Sequence, residues 1–81
     1  MPPNGPYAIA RLERVVEGLG WAREREPEPD EVAIYRHPRK AHPLPINPDW
    51  PPLYKDDPNF SCIRRDLGLS SHRLLVLLSQ H

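Results

Sequence analysis

Cysteine is almost missing. Cys62 stands alone in 81 residues, which excludes an intramolecular disulfide and a cysteine-based zinc site. Between Ser61 and Ile63 it reads as a small, partly buried apolar residue, and this usage fits a reducing compartment. Long apolar runs are missing too. The longest, Leu74 to Leu78, falls far short of the roughly 20 residues that cross a bilayer. The opening Met1-Pro2-Pro3-Asn4-Gly5-Pro6 has neither the basic nor the apolar region of a secretory signal. The expectation is a cytoplasmic chain with no membrane partner. No phosphate-binding glycine loop, nucleophile elbow or histidine pair at helical metal spacing occurs. No catalytic residue, metal or cofactor is therefore assigned. Nor does either sign of charge prevail, since eleven basic residues balance eleven acidic ones. Bulk charge thus gives no drive toward nucleic acid, but a local patch is allowed. Such a patch exists: residues 32–48 hold Arg36, Arg39, Lys40, His37 and His42 and no acid.

A chain of this size is one domain that buries roughly 60% of its unfolded surface. The domain is expected over residues 7–81, with residues 1–6 as a flexible lead-in. Proline is abundant, at twelve residues, but avoids 7–26 and 59–81, so helices are permitted there and discouraged between. Ile9, Leu12, Val16 and Leu19 form one stripe of a helix over 7–19. Asn4 is its expected N-cap and Gly20 its left-handed terminator, with Trp21 packing back on Val16. Residues 21–26 read as a first strand, Pro27-Glu28-Pro29-Asp30 as a turn and Glu31 to His37 as a central strand.

A second turn over 37–41 leads to a third strand, His42 to Ile46. Pro43 and Pro45 remove the N–H donors from one side of it, so this strand belongs at a sheet edge. His42, Leu44 and Ile46 keep donors on the other side, and an even-length turn pairs His37 with His42, Tyr35 with Leu44 and Ala33 with Ile46, the hydrogen-bonded pairs that the proline pattern requires. A long proline-rich loop follows over 47–57, a length that often serves a partner. Its Trp50, Leu53 and Tyr54 are expected to fold back on the core. Asp57-Pro58 then reads as a cap and first turn of a helix carrying Phe60, Ile63 and Leu67. Gly68 closes that helix, and Leu69 packs back on Ile63. Ser70 or Ser71 caps a short last helix. Its five consecutive apolar residues exceed what so small a domain is expected to bury, so Leu74, Leu75, Leu77 and Leu78 are expected to meet a second protein chain.

Two further readings attach to these residues. His37 and His42, with Asp56 or Asp57 brought in by the loop, are the only route to a metal set, and two histidines alone do not make one. Ile63 to Leu74 resembles a DNA-binding helix-turn-helix with Gly68 at the turn. Arg64 stands where such a motif needs a small residue, however, and the second helix carries leucines where base readers belong.

Taken together, Ile9 to Trp21, Val32-Ala33-Ile34-Tyr35-Arg36-His37-Pro38, Leu44-Pro45-Ile46 and Ile63-Arg64-Arg65-Asp66-Leu67-Gly68-Leu69-Ser70 resemble the HicA-type toxins of bacterial toxin–antitoxin pairs. The resemblance runs over residues 9–78. It implies an α+β fold like the double-stranded-RNA-binding domain, α-β-β-β-α, with two helices on a three-stranded antiparallel sheet and a short extra C-terminal helix. It also implies RNA as substrate and a cognate antitoxin as partner. The departure falls at the chemistry. Those toxins carry Gly-Ser-His entering the second strand, and its histidine is catalytic. Counting back from Tyr35 places Asp30-Glu31-Val32 there, and valine moves no proton. The leading expectation is a HicA-like domain retained for binding. Arg36, His37, Arg39, Lys40 and His42 would meet RNA or an acidic partner, and the leucine helix would meet a second copy or an antitoxin-like chain. The alternatives are an RNA-cleaving toxin that uses a non-standard histidine and a helix-turn-helix DNA-binding protein.

Overall fold

The structure, a computed structural model, describes residues 3–24 and 32–80. The expected turn 27–30 and the adjoining strand ends lie outside the described residues. The elements run α1 (Ile9–Gly18), β1 (Ala22–Arg23), β2 (Ala33–Arg36), β3 (Leu44–Ile46), α2 (Pro58–Leu67) and α3 (Ser71–Gln80). The fold is α+β, and the described residues form three helices and one antiparallel sheet in the order β1-β2-β3.

The prolines set the sheet's edge. Ala33 pairs with Ile46, Ile34 with Pro45 and Tyr35 with Leu44. Pro45 therefore faces Ile34 at a position where no N–H is required, and β3 closes one side of the sheet. The ladder ends at Tyr35–Leu44, so the expected His37–His42 pair does not form; the Lys40 N–H instead closes a turn on the His37 carbonyl at 3.1 Å. Strand alternation then sorts the faces. Ala33, Tyr35, Leu44 and Ile46 are buried under the helices, whereas Arg36 and Pro45 face outward with half-buried Ile34.

The C-termini of α1 and α2 follow local rules. Gly68 takes φ 73°, and the Leu69 N–H reaches back to the Arg64 carbonyl at 2.9 Å, the six-to-one bond of a Schellman motif. The Trp21 N–H does the same to Val16 at 3.2 Å, and its indole is buried. The N-termini differ from expectation. Tyr7 exchanges two backbone hydrogen bonds with Leu53, at 2.9 and 2.7 Å, which holds residue 7 extended. Helix α1 therefore starts at Ile9 with Ala8 as N-cap, and Asn4 caps nothing: its carbonyl accepts the Lys55 N–H at 2.9 Å. The lead-in is thus tied to the long loop from Pro3 onward, where the Pro3 carbonyl accepts the Tyr7 hydroxyl at 2.6 Å. Asp57 does stand at the N-cap of α2, but its carboxylate takes the Tyr54 N–H rather than one of the helix's own. Ser70 caps α3 through the Arg73 N–H at 3.1 Å. Cys62, expected partly buried, is exposed.

The largest correction concerns α3. It is as long as the other helices, at ten residues, and it packs on both α1 and α2. Leu74 and Leu78 have no exposed surface, and Leu75 keeps 4%. These three join Leu12, Val16, Phe60, Ile63 and Tyr35 in one core. They are taken up by the chain itself, not left exposed as the sequence predicts. Leu77 and Val76 are half-buried, and Leu77 packs against the rim of that core. The expectation underrated how many sides of a helix two neighbouring helices cover. Arg11 adds a tie from α1 to the Leu78 carbonyl at 3.3 Å.

Two stability outcomes follow. Leu78→Ala should lower unfolding free energy by about 2–5 kcal/mol, measured by urea denaturation, with no change in sedimenting mass. Gly5 has φ 120°, and a Cβ there would sit 2.6 Å from the Leu53 carbonyl oxygen. Gly5→Ala should therefore cost on the order of 1–3 kcal/mol, visible as a lower thermal midpoint.

Candidate functional site

The turn joining β2 to β3 carries the cations that the sequence marks, and the fold treats them unequally. Arg36 points outward, where its Nε donates to Glu24 Oε1 at 2.9 Å across the sheet face. His37 is half-buried. Its ring lies 5.4 Å from that of Trp21, its Nδ1 accepts the Arg39 N–H at 3.0 Å, and a Cβ on residue 20 would meet its Nε2 at 3.1 Å. These contacts make His37 part of the turn's framework. Arg39, Lys40 and His42 remain exposed, and they form no ion pair among the described residues.

A cavity of about 200 Å³ opens beside them, lined by Lys40, Ala41, His42, Pro43, Arg65 and Asp66. Two elements far apart in sequence build it. The turn supplies Lys40 and His42, and the last turn of α2 supplies Arg65 and Asp66. Lys40 reaches the end of α2 closely enough that a Cβ on Gly68 would lie 3.5 Å from its Nζ. A cation there complements the negative pole of the helix. Arg65 is the residue that sequence reasoning did not assign to this group. No spacing rule links positions 40 and 65; only the docking of α2 beside the turn does. The arrangement offers three cationic or titratable donors around one opening, with one carboxylate among them. It can hold an anion, but it presents no nucleophile with an adjacent base.

A second polar group lies under the sheet. The Arg23 guanidinium donates to Glu13 Oε2 and to the Tyr35 hydroxyl, each at 3.1 Å. Register explains the meeting: Arg23 pairs with Tyr35, so both face α1 and its Glu13. Burial of the Tyr35 phenol raises its ionisation above the ordinary 10.0, while the Arg23 hydrogen bond pulls the other way.

The remaining candidate constellations are placed as follows. No group of three His, Cys, Asp or Glu side chains that would hold a metal occurs among the described residues. Helices α2 and α3 flank the 68–70 connection, but Leu74, Leu75 and Leu78 face the core, leaving His72, Arg73, Ser79 and Gln80 outward. No helix among the described residues is long and apolar enough to cross a membrane. The loop behaves as expected at Leu53, which is buried, and at Trp50, which packs on the core, but Tyr54 stays 49% exposed. No family model, curated protein or solved structure matches the chain.

The raised phenol has a sign that can be tested. A group whose folded pKa exceeds its unfolded value stabilises below the unfolded pKa and loses that contribution as pH climbs through the folded one. Stability should therefore fall above pH 10.0, the ordinary phenol value. Tyr35→Phe should make the decline shallower while costing about 1–2 kcal/mol at neutral pH, both read from denaturation curves across pH.

Proposed function

We propose that this chain is a HicA-like domain, arranged like the double-stranded-RNA-binding domain, that binds RNA without cutting it. The element order α-β-β-β-α-α and the single core shared by the three helices and the inner sheet residues support the arrangement. The observation that carries the binding reading is the cationic rim in which Arg65 joins Lys40 and His42 around one cavity, with Arg39 beside it. Such a rim tracks phosphates, and its contacts position a nucleic acid without reading sequence. A-form duplexes are recognised in this way, mainly by shape and backbone.

The absence of cleavage rests on Val32. It occupies the place where the resemblance puts a catalytic histidine, and its side chain is 38% exposed, so a histidine there would be able to reach a substrate. Valine offers no proton transfer. His37, the nearest alternative, has one ring nitrogen engaged by the turn's backbone and its ring against Trp21. In a toxin–antitoxin-type setting the chain would keep the toxin's shape and its hold on RNA.

Fluorescence anisotropy with a labelled RNA hairpin, titrated across potassium chloride, tests this. Binding should weaken steeply with salt, and Lys40→Ala and Arg65→Ala should each reduce the log–log salt slope by about one. The RNA should remain full-length on a denaturing gel. Salt-independent binding, no binding at low salt, or shortened RNA would each refute the proposal.

A further inference from the structure

The loop over 47–57 carries Pro51-Pro52-Leu53-Tyr54, which neither the sheet nor the cationic rim uses. Its backbone is held in a defined shape. The Trp50 N–H closes a turn on the Asn47 carbonyl at 3.1 Å, and the Asp49 N–H is taken by Asn47 Oδ1 at 2.9 Å. Beyond that turn the chain reaches an isolated antiparallel bridge at Leu53. Pro51 fixes its own φ, and Pro52 drives Pro51 toward the extended ψ of a polyproline II helix. Leu53 is then clamped by its two bonds to Tyr7. Tyr54 is held from both sides: its N–H goes to Asp57 Oδ2 at 2.9 Å, and its carbonyl accepts the Asp57 N–H at 3.0 Å.

The side chains divide accordingly. Leu53 points into the core with 1% exposure, Tyr54 is 49% exposed, and Pro51 and Pro52 are exposed. A polyproline II helix has three residues per turn, so residues i and i+3 share one ridge. Pro51 and Tyr54 have that sequence spacing, which an ideal polyproline II segment would set about 9 Å apart at 3.1 Å per residue. Leu53, which lies off the ridge, is the residue that anchors the segment. The fold thus displays a proline ridge ending in a phenol ring, with its ordering cost already met.

We propose that Pro51 and Tyr54, with exposed Pro52 between them, form a docking surface for a protein module with an aromatic-walled proline groove and an adjoining pocket for a phenol ring. Pre-formed proline segments bind such grooves because little chain entropy is lost. The site is separate from the cationic rim and does not depend on RNA binding. The nearby Pro48-Asp49-Trp50-Pro51 spacing does not compete, because residues 47–50 are bent into a turn.

A WW domain that takes Pro-Pro-x-Tyr ligands serves as the probe, with an SH3 domain as control, against the full folded chain in isothermal titration calorimetry. The WW domain should bind and the SH3 domain should not. Tyr54→Ala should weaken binding at least about tenfold, with an unchanged thermal midpoint. Lys40→Ala should leave it unaffected. Three results would overturn the proposal: no binding to the folded chain, equal binding by the Tyr54→Ala protein, or binding that arises only when the chain is unfolded by urea.

Discussion

A sheet this short cannot bury its own apolar face. Its strands hold two, four and three residues, and small sheets need helices packed on them to persist in water. The leucines of α3 meet that need. Leu74, Leu75 and Leu78 fill the space between α1, α2 and the inner face, where Tyr35, Leu44 and Ile46 lie fully covered. Everything built on the sheet inherits its position from this packing. The β2–β3 turn projects where it does because β2 and β3 are pressed against the helices. The end of α2, packed against α3, lies beside Lys40.

What could be read from the sequence was mostly local chemistry. Pro43 and Pro45 dictated an edge and a pairing phase, because a missing N–H at alternate positions leaves only one, and an even-length turn then selected the pairs Tyr35–Leu44 and Ala33–Ile46. Gly20 and Gly68 marked both helix ends, with an apolar residue after each to complete the motif. Contacts between distant segments were not legible. Nothing near Tyr7 announces that its backbone will bond to Leu53, so the start of α1 was placed too early. The run Leu74–Leu78 carries no sign of which faces its neighbours will cover. Its excess of apolar surface was therefore assigned to a partner, although the chain's own helices take up most of it. Arg65 joined the cationic group for a reason of the same kind, tertiary docking rather than sequence spacing.

The basic turn shows how one cluster of residue types splits into different roles. Composition treats Arg36, His37, Arg39, Lys40 and His42 alike. Geometry separates them. Arg36 is matched by Glu24 on the outer face, and His37 works as a brace between Trp21 and the Arg39 backbone. Of this cluster, Arg39, Lys40 and His42 are exposed without an ion pair among the described residues, and Lys40 and His42 line the cavity with Arg65. The brace matters to them all the same. A turn held by a ring contact and a side-chain acceptor keeps its cations at fixed spacing, which lowers the entropy lost when they meet an ordered anion.

The same logic governs the long loop. A segment with four prolines between Asn47 and Pro58 forms few regular backbone bonds, because proline donates none. It is nonetheless ordered, and one residue explains why. Leu53 places its side chain in the core and both its backbone groups on Tyr7. A single inward anchor of this kind fixes its neighbours without covering them. Pro51 and Pro52 on one side and Tyr54 on the other are therefore exposed and positioned at once. An exposed aromatic ring on a loose loop has ordinary explanations. When the fold uses three backbone–backbone bonds and one to a carboxylate, across two adjacent residues, to hold that ring beside two prolines, its display is itself a structural feature. The demand on Gly5 agrees with this. The chain accepts a left-handed residue packed against the Leu53 carbonyl to bring the Tyr7 segment alongside, and that close approach is what clamps the ridge in place.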